Sequence, residues 1–327
     1  MISNKHIVLI LIITLSLLIS IAPRGLMKLE ADSPNTILHV DPAGNGDFLS
    51  IQSAINEAQD YDTLYIHDGL YYENIIINKP LTLQGEDTGK TIIDGNQEQS
   101  VINITADGVF ITTLTIRNSG QGTDAGIKVD SSRHINITNC DIYTNYYGIW
   151  FFHSSNNTVS QCTIHDNYYG ILVHYLSTDN TVKYCQINNN DNIGISLCCS
   201  SKDNVIHNCD FISNKKVGVD VGVWDTTIYL NNLIDNGLNA RSKLENHWDY
   251  EKKGNYWSDY DEQEEGARDI DGDGIVDLPY VIPEENHDYY PFIKRIDQGI
   301  KTRGTPGFLF LGFFLATLIV FLTKKHC

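Results

Sequence analysis

Basic residues are scarce in this 327-residue chain: 23 lysines and arginines stand against 41 aspartates and glutamates, a net charge of −18. No Lys/Arg cluster lies in the central part of the sequence. The electrostatic footprint that holds a phosphate backbone is therefore missing, which argues against nucleic-acid binding. An acidic surface leaves neutral glycans, cations or plain solubility open. Methionine is nearly absent, with 2 residues, and the 11 histidines are scattered, so no Met- or His-rich metal-carrying tract is present. Long runs with a 3.6-residue apolar period are also missing, which argues against a helical solenoid. So are the regularly spaced leucines of a leucine-rich repeat.

What the chain has instead is repetition. "YYGIWFFH" begins at Tyr146 and "YYGILVHY" at Tyr168. A Gly-Ile or Gly-Val pair recurs at Gly126, Gly148, Gly170, Gly194 and Gly218, in steps of 22, 22, 24 and 24. Cys140, Cys162, Cys185 and Cys209 form a second column, and Asn145, Asn167, Asn190, Asn214 and Asn236 a third. Short alternating runs rich in Ile and Val, broken by Asn, Ser, Asp and Gly, read as several strands per repeat joined by tight turns. The period predicts an all-β fold, a single-stranded parallel β-helix whose coils stack about 4.8 Å apart. Ile149, Ile171, Ile195 and Val219 should form an inward aliphatic ladder. The four cysteines should pack inward as thiols, and the asparagines should sit at corners as residues tolerant of the left-handed conformation. Ile51, Ala54, Ile55 and Ala58 share one helical face within Ser50–Gln59, predicting an N-terminal helical cap over the first coil.

The two ends differ in character. Ile7–Ala22 is an apolar run after Lys5, which reads as a secretory signal peptide, with an uncleaved anchor as the alternative. Gly304–Thr323 is uncharged, mostly apolar and followed by Lys324 and Lys325, so it is long enough to span a bilayer with a cytoplasmic tail. The expected division is a leader over 1–31, β-helix repeats over 32–245, an aromatic and acidic cap over 246–295, a short stalk over 296–307 and a membrane or sorting tail over 308–327. Three sequons, at Asn103, Asn136 and Asn156, fit an exported protein. The localisation expected is the outer face of the cell membrane. Trp248, Trp257 and Tyr260 are candidate anchors of the cap on the last coil.

Two resemblances bear on this organisation. Pro306-Gly307-Phe308, ahead of an apolar run and a basic tail, resembles the PGF sorting signal of archaeal surface proteins, which implies removal of the tail by an archaeosortase and attachment of a lipid. "GNYWSDY", "DGDGIVDLPY" and "DYYPF", with the opening "GDFLSIQSAINEAQDYDTLYIHDGLYYENIIINKPLTLQGE", resemble archaeal members of the NosD-like family over most of residues 37–292. That resemblance implies a right-handed parallel β-helix with repeats of the carbohydrate-binding and sugar-hydrolase type. The family's founding members are periplasmic accessory proteins in copper-site maturation of nitrous oxide reductase.

Three constellations carry candidate chemistry. Asp269, Asp271, Asp273 and Asp277 fall at offsets 1, 3, 5 and 9 with Gly272 and Gly274 between them, a set of hard oxygen ligands suited to a structural Ca²⁺. Unlike an EF-hand, the loop has Tyr280 at offset 12 and no flanking helices. Alternation along the repeats sends His174 outward, with Cys198 outward on the next coil, His153 on the preceding one and Cys199 adjoining. Imidazole plus thiolate suits Cu(I) or Zn²⁺. The same count sends Trp150 and Phe152 outward beside Tyr146, Tyr147, Tyr168 and Tyr169, giving an aromatic patch over adjacent coils that could bind a glycan, or else be covered by a loop or the C-terminal segment. Asp141, Asp166, Asp191 and Asp210 lie next to turns, singly and with no Arg or Lys beside them. Glycoside hydrolysis needs two carboxyls about 5–9.5 Å apart, so the expectation is a non-enzyme. The leading reading is a surface-displayed binding or structural module with a polysaccharide or surface glycoprotein as partner. A copper-binding accessory protein is the alternative, and a polysaccharide lyase or hydrolase the second alternative.

Overall fold

A computed structural model describes residues 35–284 and 286–299. The expected leader and the apolar C-terminal tail lie outside the described residues. Among the described residues no helix is long and apolar enough to cross a membrane.

The repeats stack as parallel coils whose strands make three parallel sheets of nine, eight and nine strands. The first runs from Ile37–Val40 to Thr227–Tyr229, the second from Ile75–Ile77 to Ala240–Ser242, and the third from Gly69–Tyr72 to Tyr256–Trp257. Strand register carries the aliphatic columns through the core. Ile127, Ile149, Ile171, Ile195 and Val219 are successive partners in the second sheet. Ile142, Ile164, Ile187, Phe211 and Leu233 are successive partners in the third. All are buried, so the hydrophobic term is spread evenly along the stack rather than held in one centre. The Gly-Ile column has a steric cause. A Cβ on Gly194 would lie 2.6 Å from the carbonyl oxygen of Gly218, and Gly148 and Gly170 meet the next glycine's carbonyl in the same way.

At the corners the structure corrects the expectation. The left-handed residue is the one before each column asparagine: Thr144, Asp166, Asn189, Ser213 and Asp235 have φ between 51° and 57°. The asparagines that follow turn inward and bond to one another. Asn145 Nδ2 donates to Asn167 Oδ1 (3.1 Å), Asn167 to Asn190 (3.3 Å), Asn190 to Asn214 (2.9 Å) and Asn214 to Asn236 (2.9 Å). Each Oδ1 also accepts the backbone N–H of the preceding coil's asparagine. A second ladder joins Asn157, Asn180 and Asn204, and Ser154, Ser177 and Ser201 accept backbone N–H groups from the coil before at 3.1 Å each. These polar corners satisfy backbone groups that the bends remove from the strand ladders.

The cysteines behave as expected, buried in a column, with the Sγ of Cys162, Cys185 and Cys209 each directed at a carbonyl two residues earlier. Burial pushes the Cys162 and Cys185 thiols well above the ordinary range.

The N-terminal cap is a helix over Ile51–Glu57, shorter than the apolar pattern allowed, with Ser50 accepting from the Ser53 N–H as its N-cap. Ile51, Ala54, Ile55 and Ala58 are buried on the first coil as expected. At the other end the coils continue past the expected boundary at 245, because Tyr256–Trp257 pairs with Asn232–Leu233 in the third sheet. Trp248 and Trp257 are fully buried, and Tyr260 packs against the core. A hairpin of Tyr280–Ile282 and Asn286–Asp288 closes the end. The first part of the expected stalk is docked, not free. Ile296 N–H donates to Asn232 Oδ1 (2.8 Å), Asn232 Nδ2 donates to Ile296 O (2.9 Å), and Gln298 Nε2 donates to Leu230 O (2.8 Å).

The cap is fastened by one buried carboxyl. Asp288 Oδ2 accepts from the Asn255 N–H (2.7 Å) and Trp257 Nε1 (2.9 Å), and Oδ1 accepts from the Tyr290 N–H (3.0 Å). Burial pushes this carboxyl up to about 7, against the opposing effect of the Trp257, Asn255 and Tyr290 donors.

Two measurements check these roles. Asn190→Ala orphans partners on both neighbouring coils and should destabilise the chain by about 2–4 kcal/mol in denaturant titration, whereas Asp191→Ala, exposed with its partner Lys215, should cost under about 1 kcal/mol. For Asp288, the folded state keeps a proton that the unfolded chain releases at ordinary carboxyl pH. Its contribution to stability therefore falls as pH rises towards 7, by up to about 1.4 kcal/mol per pH unit. Melting curves from about pH 4 to about pH 8 should show this slope in the parent and lose it in Asp288→Asn; an identical slope in both rules the assignment out.

Candidate functional site

Alternation along Tyr147–Phe152 and Tyr169–His174 puts Ile149, Phe151, Ile171 and Val173 in the core and turns Trp150, Phe152 and Leu172 to the outer face of the second sheet, where Tyr147, across Gly148 and out of that alternation, packs beside them. Coil stacking then sets the aromatic rings side by side. Tyr146 lies 5.0 Å from Tyr168, Tyr147 lies 5.3 Å from both Tyr169 and Trp150, and Trp150 lies 5.5 Å from Phe152. All six predicted aromatics thus meet on one face. Trp150 does not offer an open ring, however: it is only 7% exposed, packed with Leu172, Tyr147 and Phe152. Lys128 Nζ sits 4.9 Å above its centroid. Among the described residues the covering comes from neighbouring outward columns; the docked residues Ile296 and Gln298 bond along the third sheet instead. Tyr168 remains the more open ring at 38%.

The same shelf ends in a donor cluster. His174 follows Phe152 in register on the next coil, and the Cys198 N–H bonds to Val173 O at 3.0 Å, so His174 and Cys198 are neighbours across coils. Cys199 and Ser200 both take left-handed φ, 58° and 64°, and the turn keeps Cys199 Sγ 3.4 Å from Cys198 Sγ. One ligand atom each from His174, Cys198 and Cys199 lies within 4.8 Å of the other two. The His174 Nδ1 is buried with no hydrogen-bond partner. Burial, and then nearby His153, push His174 below its ordinary value, leaving a neutral imidazole. Burial, reinforced by Cys199, pushes the Cys198 thiol up to about 12. The rings of Trp150 and Phe152 lie 6.2 and 6.1 Å from that of His174 and wall off one side.

His153, expected in this set, is not part of it. It stands at a corner with φ 50° and stacks on Tyr175 at 5.6 Å. Alternation stops counting once the backbone enters the left-handed turn, which carries the ring round the corner.

The acidic loop is the second cluster. Asp269, Asp271 and Asp273 each bring an oxygen within 4.8 Å of the others. Asp269 also accepts from the Gly272, Asp273 and Gly274 N–H groups, with Gly272 and Gly274 at positive φ. Asp277 lies outside this set: its Oδ2 accepts the Ile270 N–H at 2.7 Å and closes the loop instead.

The solitary aspartates are not solitary. Lys215 reaches Asp191 at 2.6 Å, and Arg295 reaches Asp210 at 2.9 Å. Asp210 is buried rather than solvated. His165 bridges Asp141 (3.0 Å) and Asp166 (2.6 Å). Burial pulls the His165 value down, but the two aspartates outweigh it and raise it overall. Apart from Asp166, which adjoins His165, these partners lie one coil or 85 residues away in sequence, so no local motif marks them.

Comparison with known proteins follows this geometry. The family model described as "Periplasmic copper-binding protein (NosD)" matches residues 53–262. Two Arabidopsis thaliana proteins are similar over shorter stretches. "Putative pectinesterase/pectinesterase inhibitor 22" is 35% identical over 96 residues, 27% of this chain and 16% of that protein. "Probable pectinesterase/pectinesterase inhibitor 17" is 24% identical over 148 residues, 41% of this chain and 29% of that protein. Among solved structures, pectate lyase Pel9A superposes with a TM-score of 0.51 at 15% identity, covering 68% of this chain and 74% of that one, a likeness of fold alone.

Calorimetry of the full chain with Ca²⁺ checks the acidic loop. Heat of binding is expected in the parent and should vanish in Asp271→Ala and Asp273→Ala, while Asp277→Ala should weaken binding only partly by loosening the loop. No heat in the parent removes the loop from consideration.

Proposed function

Because the chain belongs to the NosD family, we propose that it works outside the cytoplasm as a β-helical module that holds one cuprous ion at His174, Cys198 and Cys199. The observation that carries this reading is the convergence within 4.8 Å of two sulfurs and one nitrogen of an imidazole whose Nδ1 is buried and unpartnered. Soft thiolates with imidazole favour Cu(I) or Zn²⁺. A closed zinc site needs four protein ligands, and this cluster supplies three. The aromatic wall of Trp150 and Phe152 limits water on one side, which suits retention of a reduced soft ion over exchange with solvent. The family description, a periplasmic copper-binding protein, agrees in metal and compartment. The apolar stretch 304–323 would tether the module to the membrane. Lyase or esterase activity, as in the pectin-active relatives, draws less support, since Asp141, Asp166, Asp191 and Asp210 are each engaged by a cation or histidine.

Anaerobic competition of the full chain against bicinchoninate for Cu(I) tests the proposal. One equivalent is expected to bind. Cys198→Ser and His174→Ala should each weaken it by at least about tenfold, while His153→Ala leaves it unchanged. X-ray absorption should show mixed sulfur and nitrogen ligation. Cu(I) uptake that is absent, or that is indifferent to the Cys198→Ser/Cys199→Ser pair, overturns it.

A further inference from the structure

The two thiols of the metal cluster carry a second chemistry. Cys198 and Cys199 are consecutive in the chain, and their sulfurs lie 3.4 Å apart, in contact without being bonded. They differ from the other described cysteines in access. Cys140, Cys162, Cys185 and Cys209 are buried in the core column, whereas Cys198 is half-buried and Cys199 is exposed. A dissolved disulfide therefore reaches this pair and not the column.

The corner that holds the pair is also freer than the corners before it. On the two preceding coils the corner N–H groups reach forward along the stack: His153 N–H donates to Tyr175 O and Leu176 N–H to Cys199 O, both at 3.1 Å. Among the described residues, the N–H groups of Cys199 and Ser200 find no acceptor on the coil that follows. Their φ angles of 58° and 64° form a left-handed pair that few bonds hold in place. Rotation at this corner can bring Cys199 Sγ onto Cys198 Sγ while the strand Ile193–Leu197 keeps its pairing on both sides.

Neighbouring Cα atoms stand about 3.8 Å apart across a trans peptide, short of the ~4.4–6.8 Å that an ordinary disulfide spans. A ring closed here is strained, and strained, exposed disulfides are the readily reduced ones. The pair therefore suits a reversible switch and not a permanent staple. Outside the cytoplasm, where the family description points, thiols meet oxidants. We infer that Cys198 and Cys199 form a thiol–disulfide switch, open as two donors for the cuprous ion and closed as a disulfide ring that cannot bind it. The step is exchange with a small dissolved disulfide. The Cys199 thiolate attacks one of its sulfurs and expels the first thiolate. Cys198 then gives up its proton and attacks the Cys199 sulfur of the mixed disulfide, expelling the second. Two protein thiols are oxidised, one disulfide is reduced to two thiols, and both protons pass to the released thiolates. Closure removes two of the three ligand atoms at once and leaves His174 alone. The loss of donors rests on the copper reading above; the ring closure does not.

The test uses the full chain, reduced, freed of reductant without air, and then exposed to oxidised glutathione. Remaining thiols are blocked with iodoacetamide in denaturant, and the digest is read by mass spectrometry. The peptide bearing Cys198 and Cys199 should appear unalkylated and two hydrogens lighter, while Cys140, Cys162, Cys185 and Cys209 are alkylated as free thiols. An excess of reduced glutathione should reopen the ring. Cys199→Ser should form no ring. In the bicinchoninate competition the closed chain should hold Cu(I) at least about tenfold more weakly than the reduced chain. Mass alone scores the ring, so failure of copper uptake by the reduced chain and failure of ring closure are separate results. Two free thiols after oxidation, glutathione held on both cysteines, a cross-link between chains, a ring that reduced glutathione does not open, or undiminished Cu(I) binding by the closed chain overturns the inference.

Discussion

Every feature of this molecule depends on one constraint: each coil must offer the next a matching residue at each corner, so that inward amides and hydroxyls can bridge from coil to coil. A bend in a β-helix takes backbone groups out of the strand ladder and leaves them buried. The Asn145-to-Asn236 ladder answers that cost by pairing side-chain amides with each other and with the N–H of the coil before. A ladder of this kind has no natural end, because the last amide still needs a partner. The cysteine column solves this beyond Cys209, where Asn231 takes the next place and its amide passes to Asn255, whose amide in turn meets Asp288 on the cap hairpin. The cap is therefore the terminus of the hydrogen-bond chain as well as a lid on apolar surface.

The constraint also explains where chemistry accumulates. Inside, residues are chosen to match their neighbours above and below, so side chains there are interchangeable in role. Outside, columns are free to vary, and the outer face of the second sheet uses that freedom to go from Lys128 through Trp150 to Leu172 in one column and from Asp130 through Phe152 to His174 in the next. The donor cluster lies where the repeat lengthens from 22 to 24 residues. One of the two added residues is taken up at a left-handed corner, Tyr175–Leu176 on one coil and Cys199–Ser200 on the next, and the other between Asn190 and Gly194 and, one coil on, between Asn214 and Gly218. Lengthening a corner leaves strand register intact while moving one side chain around the bend, and that brings Cys199 beside Cys198.

Much of this was legible in advance, and for one reason. Periodicity reports on stacking, so the aliphatic ladder, the cysteine column and the outward direction of His174, Cys198 and Trp150 all follow from counting. Counting failed at corners. It treated column asparagines as the left-handed residues when the residue before them takes that conformation, and it left His153 with His174 although a turn separates them. It also failed for exposure: Trp150 points outward as expected but is roofed by Lys128 and flanked by its own neighbours.

The sequence by itself determined the solenoid, its inward columns, the helical cap and the residue types able to hold a soft metal, because each of these depends on spacing along a single chain with a fixed strand period. Only the tertiary structure decided which donors converge, that Asp277 closes its loop by a hydrogen bond, and that Arg295 comes back to Asp210. Those outcomes depend on how corners bend and how the cap folds back over the last coil. Distances set by such packing across 40 or 85 residues of chain leave no periodic trace in the sequence.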